Sequence, residues 1–297
     1  MPKLFQLGYL CLNIAELTRA TSYYQDVLGL RVTERTSEEA YLSIGFNKFD
    51  LELRQKPGPR LGAVGFQLNP GLALRDFFQQ ALAFGLSPAL KSDALPGVPE
   101  LVELVAHDGL TYQFFKERAE NPPGFRQCGV APLRLGHFAA IAKETEKAMA
   151  FYTEFLGFAV TDRIAEQETF LTCNYEHHVV NILRGEKPGL HHIAFELRDF
   201  GHQSMAADVL AAHGIETKWG PSRHTAGHNV ASYHFAPDGE IVELYNDMDI
   251  YLPELGMMSP RPWHHELPMR PRTWPENDFS HWQSQFVWNF QRQEDQA

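Results

Sequence analysis

The chain has 297 residues, 44% of them hydrophobic and 12% aromatic, with a formal net charge of −11. That suits two domains or one repeat-built body with ample core, and the scattered Lys and Arg exclude the basic stripe of a nucleic-acid binder. No run approaches the ~20 apolar residues of a membrane span, the N-terminus lacks a signal-peptide pattern, and Cys11, Cys128 and Cys173 are too far apart for a disulfide framework or zinc knuckle, so a reduced cytoplasmic setting with no membrane or nucleic-acid partner is expected.

Taken in order, the chain opens on LGYLCLNIAELTRATSYYQDVLGLRV from Leu7. The same unit returns without a gap, 128 residues later, as LGHFAAIAKETEKAMAFYTEFLGFAV from Leu135. Both begin Leu-Gly and end Tyr-x-x-x-Leu-Gly, at Tyr24 to Gly29 and Tyr152 to Gly157. Each reads as a strand, an amphipathic helix and further strands. In the later copy Met149, Tyr152 and Leu156 fall on one helical face, and Gly29 and Gly157 suit helix C-terminal caps. A looser pair follows: LGAVGFQL from Leu61 and LHHIAFEL from Leu190. A helix comes after each (72–84 and 199–213, with Gly214 behind the latter), then a hairpin around His107-Asp108-Gly109 or Pro237-Asp238-Gly239.

The expected fold is therefore α+β: four βαβββ modules, roughly 4–56, 60–118, 133–186 and 189–250, paired into two similar domains at 1–120 and 133–250. The linker 119–132 carries Asn121-Pro122-Pro123-Gly124. The tail, 251–297, is rich in Pro and large aromatics (Trp263, Trp274, Trp282, Phe286, Trp288, Phe290), with a short helix expected after Asn277. So many tryptophans argue for packing on the body or on a second subunit rather than disorder.

Glu243 stands out, because it lies in the apolar run Ile241 to Tyr245, where an ionised carboxylate needs a partner. His137 and His192 fall on the first strands of the third and fourth modules. Alternation puts His192, Ala194 and Glu196 on one face and His191, Ile193, Phe195 and Leu197 on the other, which suits packing under helices. Alone, a strand histidine is ordinarily a satisfied core or surface residue. Three candidate ligands at matching points of a repeated module make the two-His-one-carboxylate set that leaves metal positions open, as in non-haem Fe(II) oxygenases. The first half is a built-in control. Tyr9 stands opposite His137, Ala63 opposite His192 and Gln113 opposite Glu243. It reads as a metal-free copy.

With these residues in view, the sequence resembles the type I extradiol ring-cleavage dioxygenases of the vicinal oxygen chelate (glyoxalase-like) superfamily, over roughly residues 1–250. The resemblance is most specific in Leu135-Gly136-His137-Phe138, in Phe170 to Asn174 through His177-His178 to Leu190-His191-His192, and in a signature of His224, Tyr233, Pro237-Asp238-Gly239 and Glu243. His224 to Tyr233 is nine residues and Tyr233 to Glu243 is ten, the family's spacing; Ser232 departs from it, where an apolar residue is preferred.

The resemblance implies that His137, His192 and Glu243 are the metal ligands. His178 would be the acid/base beside the oxygen site, and His224 and Tyr233 would hydrogen-bond the substrate. It implies a mononuclear Fe(II), with Mn(II) in some relatives, a catechol and O2 as substrates, a ring-opened semialdehyde as product in aromatic hydrocarbon catabolism, and a homo-oligomer. It selects the second histidine of each adjacent pair and leaves His177, His191 and His228 less secure. The tail pair His264-His265 reads as surface. Trp219 stands where relatives acting on carboxylated catechols place an arginine, and Arg223 should point away beside His224, so a neutral alkyl-, aryl- or halogen-substituted catechol is expected. The competing readings are a non-redox metal enzyme of the same superfamily (a glyoxalase-type isomerase or thiol transferase) and a metal-free binding module.

Overall fold

A computed structural model describes residues 3–106, 109–122, 129–265 and 267–282. His107 and Asp108 of the first expected turn, Pro123 and Gly124 of the linker, Cys128, and Phe286, Trp288 and Phe290 of the tail lie outside them. Of the expected tail helix, the described residues 277–282 contain turns and no helix.

The first half runs β1 (Leu4–Ile14), α1 (Leu17–Ser22), β2 (Arg31–Arg35), β3 (Glu39–Ser43), β4 (Leu51–Gln55), β5 (Leu61–Leu68), α2 (Leu74–Ala83), β6 (Ala89–Leu95), β7 (Val98–Val105) and β8 (Thr111–Phe115). The second repeats it: β9 (Arg134–Ala142), α3 (Thr145–Ala150), β10 (Ala159–Ile164), β11 (Glu168–Thr172), β12 (Val180–Arg184), β13 (Gly189–Glu196), α4 (Phe200–Ala212), β14 (Trp219–Arg223), β15 (Val230–Phe235) and β16 (Ile241–Asn246). Then come β17 (Tyr251–Leu252), β18 (Met257–Met258) and β19 (Arg272–Trp274). One sheet has the order β2-β3-β4-β1-β5-β8-β7-β6. The other has β10-β11-β12-β9-β13-β16-β15-β14 in the matching places, with β19 added beside β10. Each half is a curled sheet with helices on its outer face.

The helices start and stop where the sequence says. The Glu16 carboxylate accepts from the backbone N–H groups of Thr18 and Arg19, and Asp199 accepts from His202; both satisfy donors left over in a first helical turn. Gly157, at φ 79°, ends the helix in the left-handed conformation that glycine adopts without strain. α1 and α3 each run on as one wider turn, Tyr23–Val27 and Phe151–Leu156.

The halves lock together reciprocally. The Tyr24 hydroxyl donates to Glu240 Oε1 (3.0 Å), and the Tyr23 hydroxyl lies 2.6 Å from His234 Nε2. Tyr152, the repeat of Tyr24, reaches Tyr112 of the first half at 2.8 Å. Around these contacts a single apolar core spans both halves, from Leu10, Leu12 and Phe66 to Phe138, Phe155 and Leu244.

The inner faces of the two sheets differ. In the first half Tyr9, Tyr41, Phe49, Leu101 and Phe115 form an apolar plug, with Tyr9 centred 4.8 Å from Phe49 and 5.5 Å from Phe115. Gly65 permits it, since a Cβ there would lie 2.3 Å from the Tyr9 ring. The register confirms the repeat alignment: Tyr9 faces Gly65, which faces Gln113, as His137 faces Ala194, which faces Glu243. The tail packs on the second half through β19, where Trp274 Nε1 donates to Asp162 Oδ2 at 2.7 Å.

Candidate active site

His137, His192 and Glu243 sit on β9, β13 and β16, three neighbouring strands. Ala194 lies between His137 and Glu243 in register, and its methyl leaves the space between them open. His192, two residues back on the same face, completes a triangle. Glu243 Oε2 is 3.0 Å from His137 Nε2 and 3.2 Å from His192 Nε2, and the two Nε2 atoms are 3.3 Å apart. Donors about 2.1 Å from one ion on an octahedral face stand about 3 Å apart, so the set fits a facial triad. All three residues are buried. Burial raises the Glu243 pKa, but the imidazoles of His137 and His192 outweigh it and hold the carboxylate well below its usual range.

His192 and Glu243 of the triad line a cavity of about 430 Å³ with His178, His191, His224, Asn229 and Tyr233, and His137 lies behind them. His178 lies in the loop between β11 and β12, its ring centred 4.4 Å from that of His137. Burial, then the nearby His137 and His177, keep its pKa well below the normal histidine value, so the ring is neutral. His224 follows β14. Its Nδ1 is 2.9 Å from the Phe279 carbonyl, which can only accept. That fixes the proton on Nδ1 and leaves Nε2 to accept from the Tyr233 hydroxyl at 2.9 Å. Burial, then the Glu243 charge, raise the Tyr233 pKa well above its usual value. Trp219 stacks on the His224 ring at 5.0 Å. The Arg223 guanidinium turns away, to the His228 carbonyl and Asp247.

The alternation expected for β13 fails at His191. A register shift between Leu190 and His192 marks a bulge, and His191 lines the cavity instead of the helix-covered face. Its Nδ1 lies 2.8 Å from that of His192, and burial lowers its pKa to about 3. A neutral His191 can accept the His192 Nδ1 proton and leave Nε2 for a metal. Asn229, not anticipated from sequence, donates to Glu243 Oε1 at 2.9 Å. Ser232 faces out, where its hydroxyl accepts from Gln203 of α4 at 2.5 Å.

His264 is also corrected: it is buried, whereas His265 is exposed. With His228 it flanks Asp249, which accepts from His228 Nδ1 at 2.7 Å and pairs with Arg261 at 3.3 Å. The guanidinium supplies the countercharge there, and the cluster fastens the tail.

His177 backs His178, their Nδ1 atoms 2.9 Å apart. Gly227, at φ 75°, packs on both; a Cβ there would lie 2.8 Å from His177 Nδ1. Gly227→Ala is expected to cost about 1–2 kcal/mol from the left-handed backbone alone and to displace both imidazoles. Thermal unfolding and kcat should both fall; an unchanged kcat would separate this contact from the site.

Residues 134–244 match the model of the Glyoxalase/Bleomycin resistance protein/Dioxygenase superfamily. This stretch of the second half is a domain of that superfamily. The chain is 26% identical over 287 residues to a 2,2',3-trihydroxybiphenyl dioxygenase from Sphingomonas paucimobilis, covering 88% of this chain and 97% of that one. The 2,3-dioxygenase from Pseudomonas sp. KL28 shares its fold, with a TM-score of 0.81 at 20% identity over 94% of this chain and all (100%) of the other. So does the Mn(II)-bound glyoxalase from Novosphingobium aromaticivorans, at 0.81 and 22% over 95% and 92%.

Proposed function

We propose that this chain is an extradiol dioxygenase, which opens a catechol ring beside its two hydroxyls with O2. The observation that carries the reading is the convergence of three buried donors, within 3.3 Å of one another, two of which line a cavity that also holds His178, His224 and Tyr233. A relative that aligns with this chain over nearly its whole length carries the name dioxygenase. His137, His192 and Glu243 would hold a single Fe(II), and Mn(II) takes the same donor types. When bound, the ion would pass electron density from the catecholate to O2.

The protein's own groups do the rest. Tyr233 and His224 form a pair whose hydroxyl and Nε2 turn to a substrate oxygen, and the Phe279 carbonyl keeps the proton of His224 on Nδ1. His178, neutral and shielded from water, can take a proton from one oxygen and return it to another. Phe170, Leu183, Ile164 and Phe279 give the ring an apolar berth. No Lys or Arg is among the described residues that line the cavity, which supports an uncharged ring substituent.

The test is direct. Protein purified anaerobically with Fe(II), given O2 and a panel of substituted catechols, should form a yellow ring-opened product. A panel that yields none would overturn the reading.

A further inference from the structure

The triad occupies one side of the curled sheet, on β9, β13 and β16. The strands on its other side, β12 and β11, contribute Asn181, Leu183, Glu168 and Phe170 to the same cavity. Two of these four are polar. Glu168 is 8% exposed and Asn181 3%. Asn181 Nδ2 donates to Glu168 Oε1 at 3.1 Å, while Asn181 Oδ1 has no hydrogen-bond partner. Backbone pairing already joins the strands, Phe170 facing Asn181 and Glu168 facing Leu183, so the side-chain pair is not needed to zip them.

The first half shows what this arrangement looks like as structure alone. In register, Glu39 stands for Glu168, Glu52 for Asn181 and Arg54 for Leu183. There the acids are answered by a cation: Arg54 Nε is 2.6 Å from Glu52 and 3.9 Å from Glu39. In the second half leucine replaces that arginine. Among the described residues no cationic side chain pairs with Glu168, and a buried amide oxygen is left unanswered beside it. Such groups cost stability unless something fills their hydrogen bonds.

We propose that Glu168 and Asn181 form a subsite for an uncharged hydroxyl carried on the catechol's ring substituent; this rests on the dioxygenase reading above. The hydroxyl donates to Asn181 Oδ1 and accepts from the Glu168 carboxyl. Burial pushes the Glu168 pKa up to about 8, which supplies the carboxyl proton. An anionic substituent meets the electron-rich face of this pair with no cation to answer it. A plain alkyl group leaves Asn181 Oδ1 stranded.

The experiment is anaerobic titration of Fe(II)-loaded protein, reading Kd from catecholate absorbance without turnover. The probes are hydroxymethyl- and ethylcatechol, near-isosteric, each substituted at ring position 3 and at position 4. At one position the hydroxymethyl compound should bind about 10- to 100-fold tighter. Asn181→Leu should abolish that preference, and Glu168→Gln, which keeps the hydrogen bonds, should retain most of it, both at unchanged iron content. Equal or tighter binding of ethylcatechol by the native protein would overturn the subsite, as would a preference that survives Asn181→Leu. Tighter binding of the aminomethyl analogue would also overturn it and make Glu168 a cation partner. If no catechol binds at all, the dioxygenase reading falls first; if catechols bind and turn over without the hydroxyl preference, only the subsite falls.

Discussion

Glu243→Ala is expected to leave the protein nearly iron-free, whereas Gln113→Ala should bind as much iron as the native chain. Glu243 is the one acidic member of a triad whose other two members are imidazoles, all three buried. Without it, a divalent ion would enter a low-dielectric site with no charge to offset its lost hydration. Even changes behind a metal ligand cost about 10–100-fold in affinity, so loss of the carboxylate should exceed that. Gln113 holds the equivalent strand position but accepts from the Tyr9 hydroxyl at 2.8 Å and donates to Glu103. Its removal leaves a buried phenol unpaired, at a cost of about 1–3 kcal/mol, and should lower the melting temperature only. Metal analysis and thermal unfolding of both variants check this. Equal iron loss in the two would refute the division of labour between the halves.

The second large effect concerns His178→Phe. Phenylalanine fills the same space against His137 and Phe170, whose ring is centred 5.1 Å from that of His178. Tyr233 and His224, the proposed substrate partners, are untouched, so anaerobic Kd for a catechol should change little. Proton transfer by a positioned side chain is worth about 10²–10⁴-fold, and kcat should fall by that order. Near-native turnover would remove His178 from its role; a lost Kd would move it to substrate binding.

Much of the fold and site was legible because the chain states its plan twice. The gap-free match from Leu7 and Leu135 placed β1, β9 and their helices, and strand alternation put His192 and Glu243 on the inner face. His178, His224 and Tyr233 came from resemblance rather than spacing, since each lies on a different segment. What could not be read depended on local irregularity or on contact between distant segments. The bulge at His191 has no strong sequence mark, and it moves that ring to the opposite face. Asn229 and Phe279 reach the site from a loop and from the tail. His264 looked like surface until Asp249 and Arg261, brought in from elsewhere, surrounded it. The Glu168–Asn181 pair had a signal, the change from Arg54 to Leu183 between repeats, but it shows only once register fixes which residues correspond.

The filled first half has a consequence for how this sequence tolerates change. Two positions that are equivalent in the repeat answer to different demands. At Tyr9 the demand is volume: the ring fills a space bounded by Phe49, Phe115 and Gly65, and another large aromatic would serve with modest loss. At His137 the proposed metal site demands a particular lone pair beside Glu243, and hardly any other side chain offers it. Drift in the first half should therefore be wide but held to size. Drift in the second should be free on the outer face and nearly frozen on the inner one.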